Sequence, residues 1–163
     1  LACATIYQKA QEDSDFAGMG TTCTVLLIRS SRAFVAHVGD SRCYLQRGEQ
    51  MIQITDDHSL VNEQLKAGLI TREQARSSRL KNIITRSVGF EEDVAVDTYA
   101  FPLQRDDKIL MCSDGLANIV DDAEMGLALN SHALGEVPKK MVDLANERGG
   151  DDNITVVCVH VES

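Results

Sequence analysis

Three short turns in this chain put an aspartate at the end of an apolar run. They are Val38-Gly39-Asp40-Ser41-Arg42, Cys112-Ser113-Asp114-Gly115 and Gly149-Gly150-Asp151-Asp152-Asn153. Hard divalent cations take several carboxylate oxygens from separate parts of a fold, held on rigid supports. A strand supplies the rigidity, and a glycine beside the acid lets the backbone come close. Any one such turn also reads as an ordinary turn on the rim of a sheet. Three of them in 163 residues form a constellation. Asp114 is the first candidate, because it follows Ile109-Leu110-Met111-Cys112, a run suited to a central strand, and precedes Gly115. Asp152 is the second, with two glycines before the acidic pair and Asn153 leading into an apolar strand. Asp151 is adjacent, but neighbours on an extended chain point to opposite sides, so both rarely ligate one ion. Asp40 is the third, and Arg42, two residues on, could simply pair with it.

No nucleophile accompanies these acids. There is no Gly-x-Ser-x-Gly elbow and no cysteine set beside a histidine. Ser41 and Ser113 flank the acids and read as turn formers. His58, in Asp56-Asp57-His58-Ser59, is the only histidine near an acidic cluster and reads as a loop residue capping the helix that follows. Carboxylates without a covalent nucleophile fit a metal-bound water attacking an electrophile. A phosphate ester is the favoured electrophile, since a pair of cations can clamp its anionic oxygens against an acidic protein.

The totals narrow the classes. The length suits one domain with a sizeable core. A net charge of -9 argues against nucleic-acid and anionic-membrane partners, both of which would be repelled. The longest apolar stretches, such as 154–161, are strand-length and too short to cross a bilayer. No charged-then-apolar leader opens the sequence. Five scattered cysteines, with no C-x-x-C pair, point away from zinc and toward a reduced, cytoplasmic setting.

The elements that must carry the acids follow from periodicity. Leu1–Lys9 reads as the tail of a helix with no capping residue before Leu1, and 11–20 as a polar loop. Strands are expected at 22–28, 33–38, 42–46 and 51–54, as an antiparallel sheet of hairpins, with one face of 42–45 solvated. A short helix from Leu60 ends at Gly68, and Thr71-x-x-Gln74 makes a capping box for a second. Strands resume at 94–101 and 108–112. Asp121 or Asp122 caps a helix through Leu129, and Pro138 opens another through Glu147. A last strand covers 154–161. The class is α+β, with antiparallel sheets flanked by helices.

In this order the motifs resemble a known family. Gly18-Met19-Gly20-Thr21-Thr22, the Gly-Asp-Ser-Arg turn at 39–42, Thr55-Asp56-Asp57-His58-Ser59, Thr85-Arg86-Ser87-Val88-Gly89, Ser113-Asp114-Gly115 and Gly150-Asp151-Asp152-Asn153 are similar to those of bacterial metal-dependent protein serine/threonine phosphatases of type 2C. The resemblance implies a β-sandwich of antiparallel sheets flanked by helices, with two manganese or magnesium ions at one end. It implies Asp114 and Asp152 as metal ligands, and Asp40, together with Asp114, as a ligand of a weaker third ion. It implies a flap at about 57–86, with Asp57, His58 and Arg86, that governs substrate access. The implied reaction is hydrolysis of phosphoserine and phosphothreonine on proteins phosphorylated by serine/threonine kinases.

The family's amino-terminal Arg/Asn-Glu-Asp and Asp-Gly-Met-Gly-Gly motifs do not occur in this sequence, nor does its phosphate-gripping arginine. Residues 1–163 are therefore expected to be the carboxy-terminal two thirds of one phosphatase domain, with amino-terminal strands missing. Exposed sheet edges would then favour self-association. A catalytically incomplete, phosphatase-like binding module is the alternative. A calcium-binding β-domain is a third reading, and the sequence lacks the Asp/Asn-rich loops it needs.

Overall fold

The computed structural model describes residues 1–162. In chain order the first elements are α1 (Ala2–Glu12), β1 (Cys23–Arg29), β2 (Arg32–Val38), β3 (Arg42–Arg47), β4 (Gln50–Gln53), α2 (Leu60–Lys66) and α3 (Arg72–Ser77). There follow β5 (Asp97–Pro102), β6 (Lys108–Cys112), α4 (Asp114–Ala117), α5 (Asp122–Ser131), α6 (Val137–Glu147) and β7 (Val156–His160). Hydrogen bonding orders the strands β1-β2-β5 in one sheet and β4-β3-β6-β7 in the other. The α+β class with antiparallel sheets is the one the sequence predicts.

The hairpins do not build a single sheet, however. The pair β1 and β2 belongs to one sheet, and β3 with β4 to the other, because β3 finds a long-range antiparallel partner in β6. Nor is a face of β3 solvated. Cys43, Tyr44, Leu45 and Gln46 are all buried, so both faces of the strand are covered.

The chain divides into two units, the first made of residues 1–25, 36–40 and 56–98. There Cys3 and Ile6 of α1 pack with Val38, Val88 and Val94. Ser59 caps α2 by accepting the Asn62 amide, and Thr71 with Gln74 forms the expected capping box on α3. The segment between the two ends of this helical excursion is closed at its base. Leu60 N–H donates to the Ile83 carbonyl at 2.9 Å, and Thr85 N–H to the His58 carbonyl at 2.9 Å.

The second unit comprises residues 26–35, 41–55 and the chain from Tyr99 onward. Alternation along β3 and β6 separates its two cores. Cys43, Leu45 and Ile109 face Ala33 and Val35 of β2. Tyr44, Leu110 and Cys112 face Leu116, Met125, Leu129, Met141 and Ala145 from α4, α5 and α6. Tyr44 is fully buried, and its hydroxyl is satisfied by donating to Asp122 Oδ1 at 3.1 Å and accepting from Arg42 at 3.1 Å. Register then sets the position of the loops. Arg42 lies opposite Cys112, and Cys112 opposite Val156, so the start of β3, the end of β6 and the start of β7 are side by side.

Candidate metal centre

Asp114 emerges where β6 stops. Instead of a simple turn, the chain enters the four-residue helix α4, with Asp114 as its first residue and Ser113 at the N-cap position. The Ser113 side chain does not cap that helix. Its hydroxyl donates to the Asn153 carbonyl at 2.9 Å and accepts from the Thr155 amide at 3.0 Å, while the Ser113 amide donates to the Thr155 carbonyl at 3.1 Å. These three bonds extend the β6–β7 ladder into the loops and lock the turn that carries Asp152. The sequence marks Ser113 only as a turn former. Its spacing from Asp114 was visible, but its partner, 40 residues away, was not.

Gly115 fits the same close approach. A Cβ built on it would stand 2.5 Å from the Asn153 carbonyl oxygen, so only glycine lets the two loops meet. Asp152 is exposed, and its Oδ1 accepts the Asn153 amide at 2.7 Å, which fixes the carboxylate next to the backbone.

Electrostatics single out the pair. Burial pushes the Asp114 carboxyl above its ordinary range, and the negative charge of Asp152 pushes it further. Two carboxylates crowded in this way, at rigid loops on neighbouring strands, are a donor set short of positive charge. A divalent cation would relieve both causes at once. Among the described residues there is no group of three or more His, Cys, Asp or Glu side chains able to hold a metal. Asp114 and Asp152 would offer carboxylate oxygens from two loops, and hard oxygen-seeking ions accept water at other positions.

The remaining candidates lie in the first unit. Asp40 follows β2 and is 7% exposed. Asp57 is partly buried, and its carbonyl accepts from the Asn62 side chain at 2.7 Å. His58 is not a helix cap. Ser59 takes that role, and the imidazole turns inward to 6% exposure. Arg86 donates to Asp97 Oδ1 at 2.7 Å. Asp97, which the sequence did not mark, is the carboxylate that joins His58 to Arg86. The His58 hydrogen bond, followed by Arg86, holds its carboxyl below the ordinary range. A groove of about 470 Å³ between α5 and α6, with Leu127, Met141 and Leu144 in its walls, contains none of these residues. No helix among the described residues is long and apolar enough to cross a membrane.

Comparison with known proteins gives the geometry a context. The "Protein phosphatase 2C" family profile matches residues 3–154. The chain is 45% identical over 151 residues to "Serine/threonine phosphatase stp" of Listeria innocua, covering 92% of this chain and 60% of that protein. Among solved structures it is similar to serine/threonine phosphatase Stp1 from Staphylococcus aureus, with a TM-score of 0.94 at 34% identity, over 99% of this chain and 64% of that one. It is also similar to the catalytic domain of the phosphatase PstP in complex with two manganese ions, with a TM-score of 0.89 at 33% identity, over 99% of this chain and 67% of that one. The chain thus spans about 60% of the length of the Listeria relative. Profile, relatives and fold agree, and the chain belongs to the protein phosphatase 2C family.

Proposed function

We propose that this chain is the carboxy-terminal two thirds of a metal-dependent protein phosphatase domain that hydrolyses phosphoserine and phosphothreonine on proteins. The observation that carries the reading is the Asp114 and Asp152 pair, held together by Ser113 and crowded enough to raise the Asp114 carboxyl. In this reading Asp114 and Asp152 are ligands of manganese or magnesium; the similar PstP catalytic domain was solved in complex with two manganese ions, which supports the choice of metal. Asp40 serves as a ligand of a further ion. Bound ions of this kind lower the pKa of water and neutralise phosphoryl oxygens. The chain's own part is to fix two carboxylates, one just after β6 and one in the loop before β7, so that little rearrangement accompanies binding.

Segment 57–86 is the flap beside the substrate in this proposal, with Asp57, His58 and Arg86 at its base. Leu69, Leu80 and Ile83 on it are exposed, which suits a surface that meets protein substrates. The partners are phosphorylated proteins, the products of serine/threonine kinases, in a cytoplasmic signalling role. Exposed Val25 and Leu27 on β1 and Ile52 on β4 support self-association of the chain through its sheets.

The test is the initial rate of p-nitrophenyl phosphate hydrolysis across a manganese titration, with Asp114→Ala as control. Saturable, Asp114-dependent turnover is expected. A rate no greater than that of the control would move the chain to the binding-module class.

A further inference from the structure

His58 is bound at both ring nitrogens and at both main-chain groups. Its Nδ1 accepts the Gly39 amide at 3.0 Å, and its own amide donates to the Gly39 carbonyl at 2.8 Å. A backbone amide can only donate, so Nδ1 carries no proton and the ring proton sits on Nε2. There it is donated to Asp97 Oδ2 at 3.0 Å. Arg86 Nη1 donates to Asp97 Oδ1 at 2.7 Å and to the Ala95 carbonyl at 3.3 Å. Its 3.0 Å approach to His58 Nε2 is that of two donors sharing one carboxylate. His37 backs the ring at a centroid distance of 4.9 Å, held by Thr24 Oγ1 at 2.9 Å and the Asp56 carbonyl at 3.2 Å.

Gly39 has little freedom of its own. Its φ is +113°, and a Cβ there would collide with the Thr22 side chain. One side of this peptide is therefore closed by Thr22, and the His58 ring and main chain hold it on the other. The next residue is Asp40.

We propose that His58 is a positioning residue for Asp40. Through Nδ1 it fixes the Gly39 peptide, and with it the direction in which Asp40 leaves β2. Through Nε2 it ties that turn to Asp97 and Arg86 at the base of the 58–85 excursion, so a displacement of that base is felt at Asp40. The inference rests on the reading of Asp40 as a metal ligand.

The test uses the 163-residue chain and two shape-matched variants. Asparagine places its Oδ1 near the Nδ1 position and keeps an acceptor for Gly39. Glutamine places its Nε2 near the imidazole Nε2 and keeps the donor to Asp97. The first readout is amide hydrogen exchange at Gly39, which needs no metal. His58→Asn is expected to stay near the wild-type rate, and His58→Gln to exchange about tenfold faster, the worth of one lost hydrogen bond. Equal rates in the two variants would overturn the positioning role. The second readout is manganese-induced broadening of the Asp40 amide signal. His58→Gln is expected to shift its midpoint severalfold upward and His58→Asn to leave it in place, and a midpoint unmoved by His58→Gln would overturn the consequence for Asp40. If Asp40→Asn leaves manganese binding unchanged, the metal reading of Asp40 falls and this inference falls with it, whatever Gly39 exchange shows. Should the variants fold poorly, the wild type decides alone. A nitrogen–nitrogen coupling across the Gly39–His58 hydrogen bond is expected, and a protonated Nδ1 without that coupling would refute the inference.

Discussion

The Ser113 hydroxyl donates to the Asn153 carbonyl across 2.9 Å, and that bond makes the loops of Asp114 and Asp152 one structural piece. Ser113→Ala removes this donor together with the acceptor of the Thr155 amide. A loss of about 1 kcal/mol is expected, since the site is partly hydrated. Thermal melting reads the loss, and faster amide exchange at Thr155 locates it.

Gly115→Ala probes the same contact from the other side. The new Cβ would meet a carbonyl oxygen, which is backbone and cannot rotate away. Separation of the two loops is expected to cost about 1–3 kcal/mol. Denaturant unfolding measures it, and a variant as stable as the parent would show that the loops part freely.

Away from the site, Asp107 sets an acid limit. Its side chain is 1% exposed, accepts from Arg47 Nε at 2.9 Å and Nη2 at 2.7 Å, and also accepts the Gln104 amide at 2.8 Å. The Arg47 hydrogen bonds, then the Gln104 amide, hold its carboxyl below the ordinary range. A depressed folded-state value gives stability that is complete above about pH 4, the unfolded value, and lost as pH falls through the folded one. Arg47→Met should destabilise the chain by about 2–3 kcal/mol at pH 7 and flatten the pH dependence below about pH 4. Chemical denaturation at a series of pH values would show both effects.

Metal-free Asp114→Asn should behave in the opposite way. Burial and the Asp152 charge both disfavour the Asp114 carboxylate, so a neutral side chain of the same shape removes a cost. The melting temperature in chelator is expected to hold or rise. A clear fall would mean that the carboxylate stabilises the fold, and the pair would lose its character as a site short of positive charge.

Much of this was readable from residue types. Ile109–Cys112 is apolar without interruption because β6 is central and covered on both faces, and Asp114 had to lie where that run ends. The Thr71-Gln74 box and an aspartate cap at 121 or 122 were legible because capping is local, whereas the return bond from Glu124 that completes a box with Asp121 came from the structure. Long-range partners were not. Nothing in 42–47 says that β3 pairs with β6 as well as with β4, so the division of the hairpins between two sheets and the burial of both faces of β3 were hidden. His58 and Ser113 share that difficulty. Each is a polar residue in a turn, and only the fold supplies Gly39, Asp97 or Asn153 as a partner.

Calorimetric titration of manganese into the chain, its Asp114→Asn variant and its Asp152→Asn variant decides whether Asp114 and Asp152 together hold a divalent cation. Saturable binding to the parent, weakened at least tenfold in each variant while the melting temperatures in chelator are maintained, is the expected result. Binding of equal strength in all three proteins would contradict it and place the metal elsewhere.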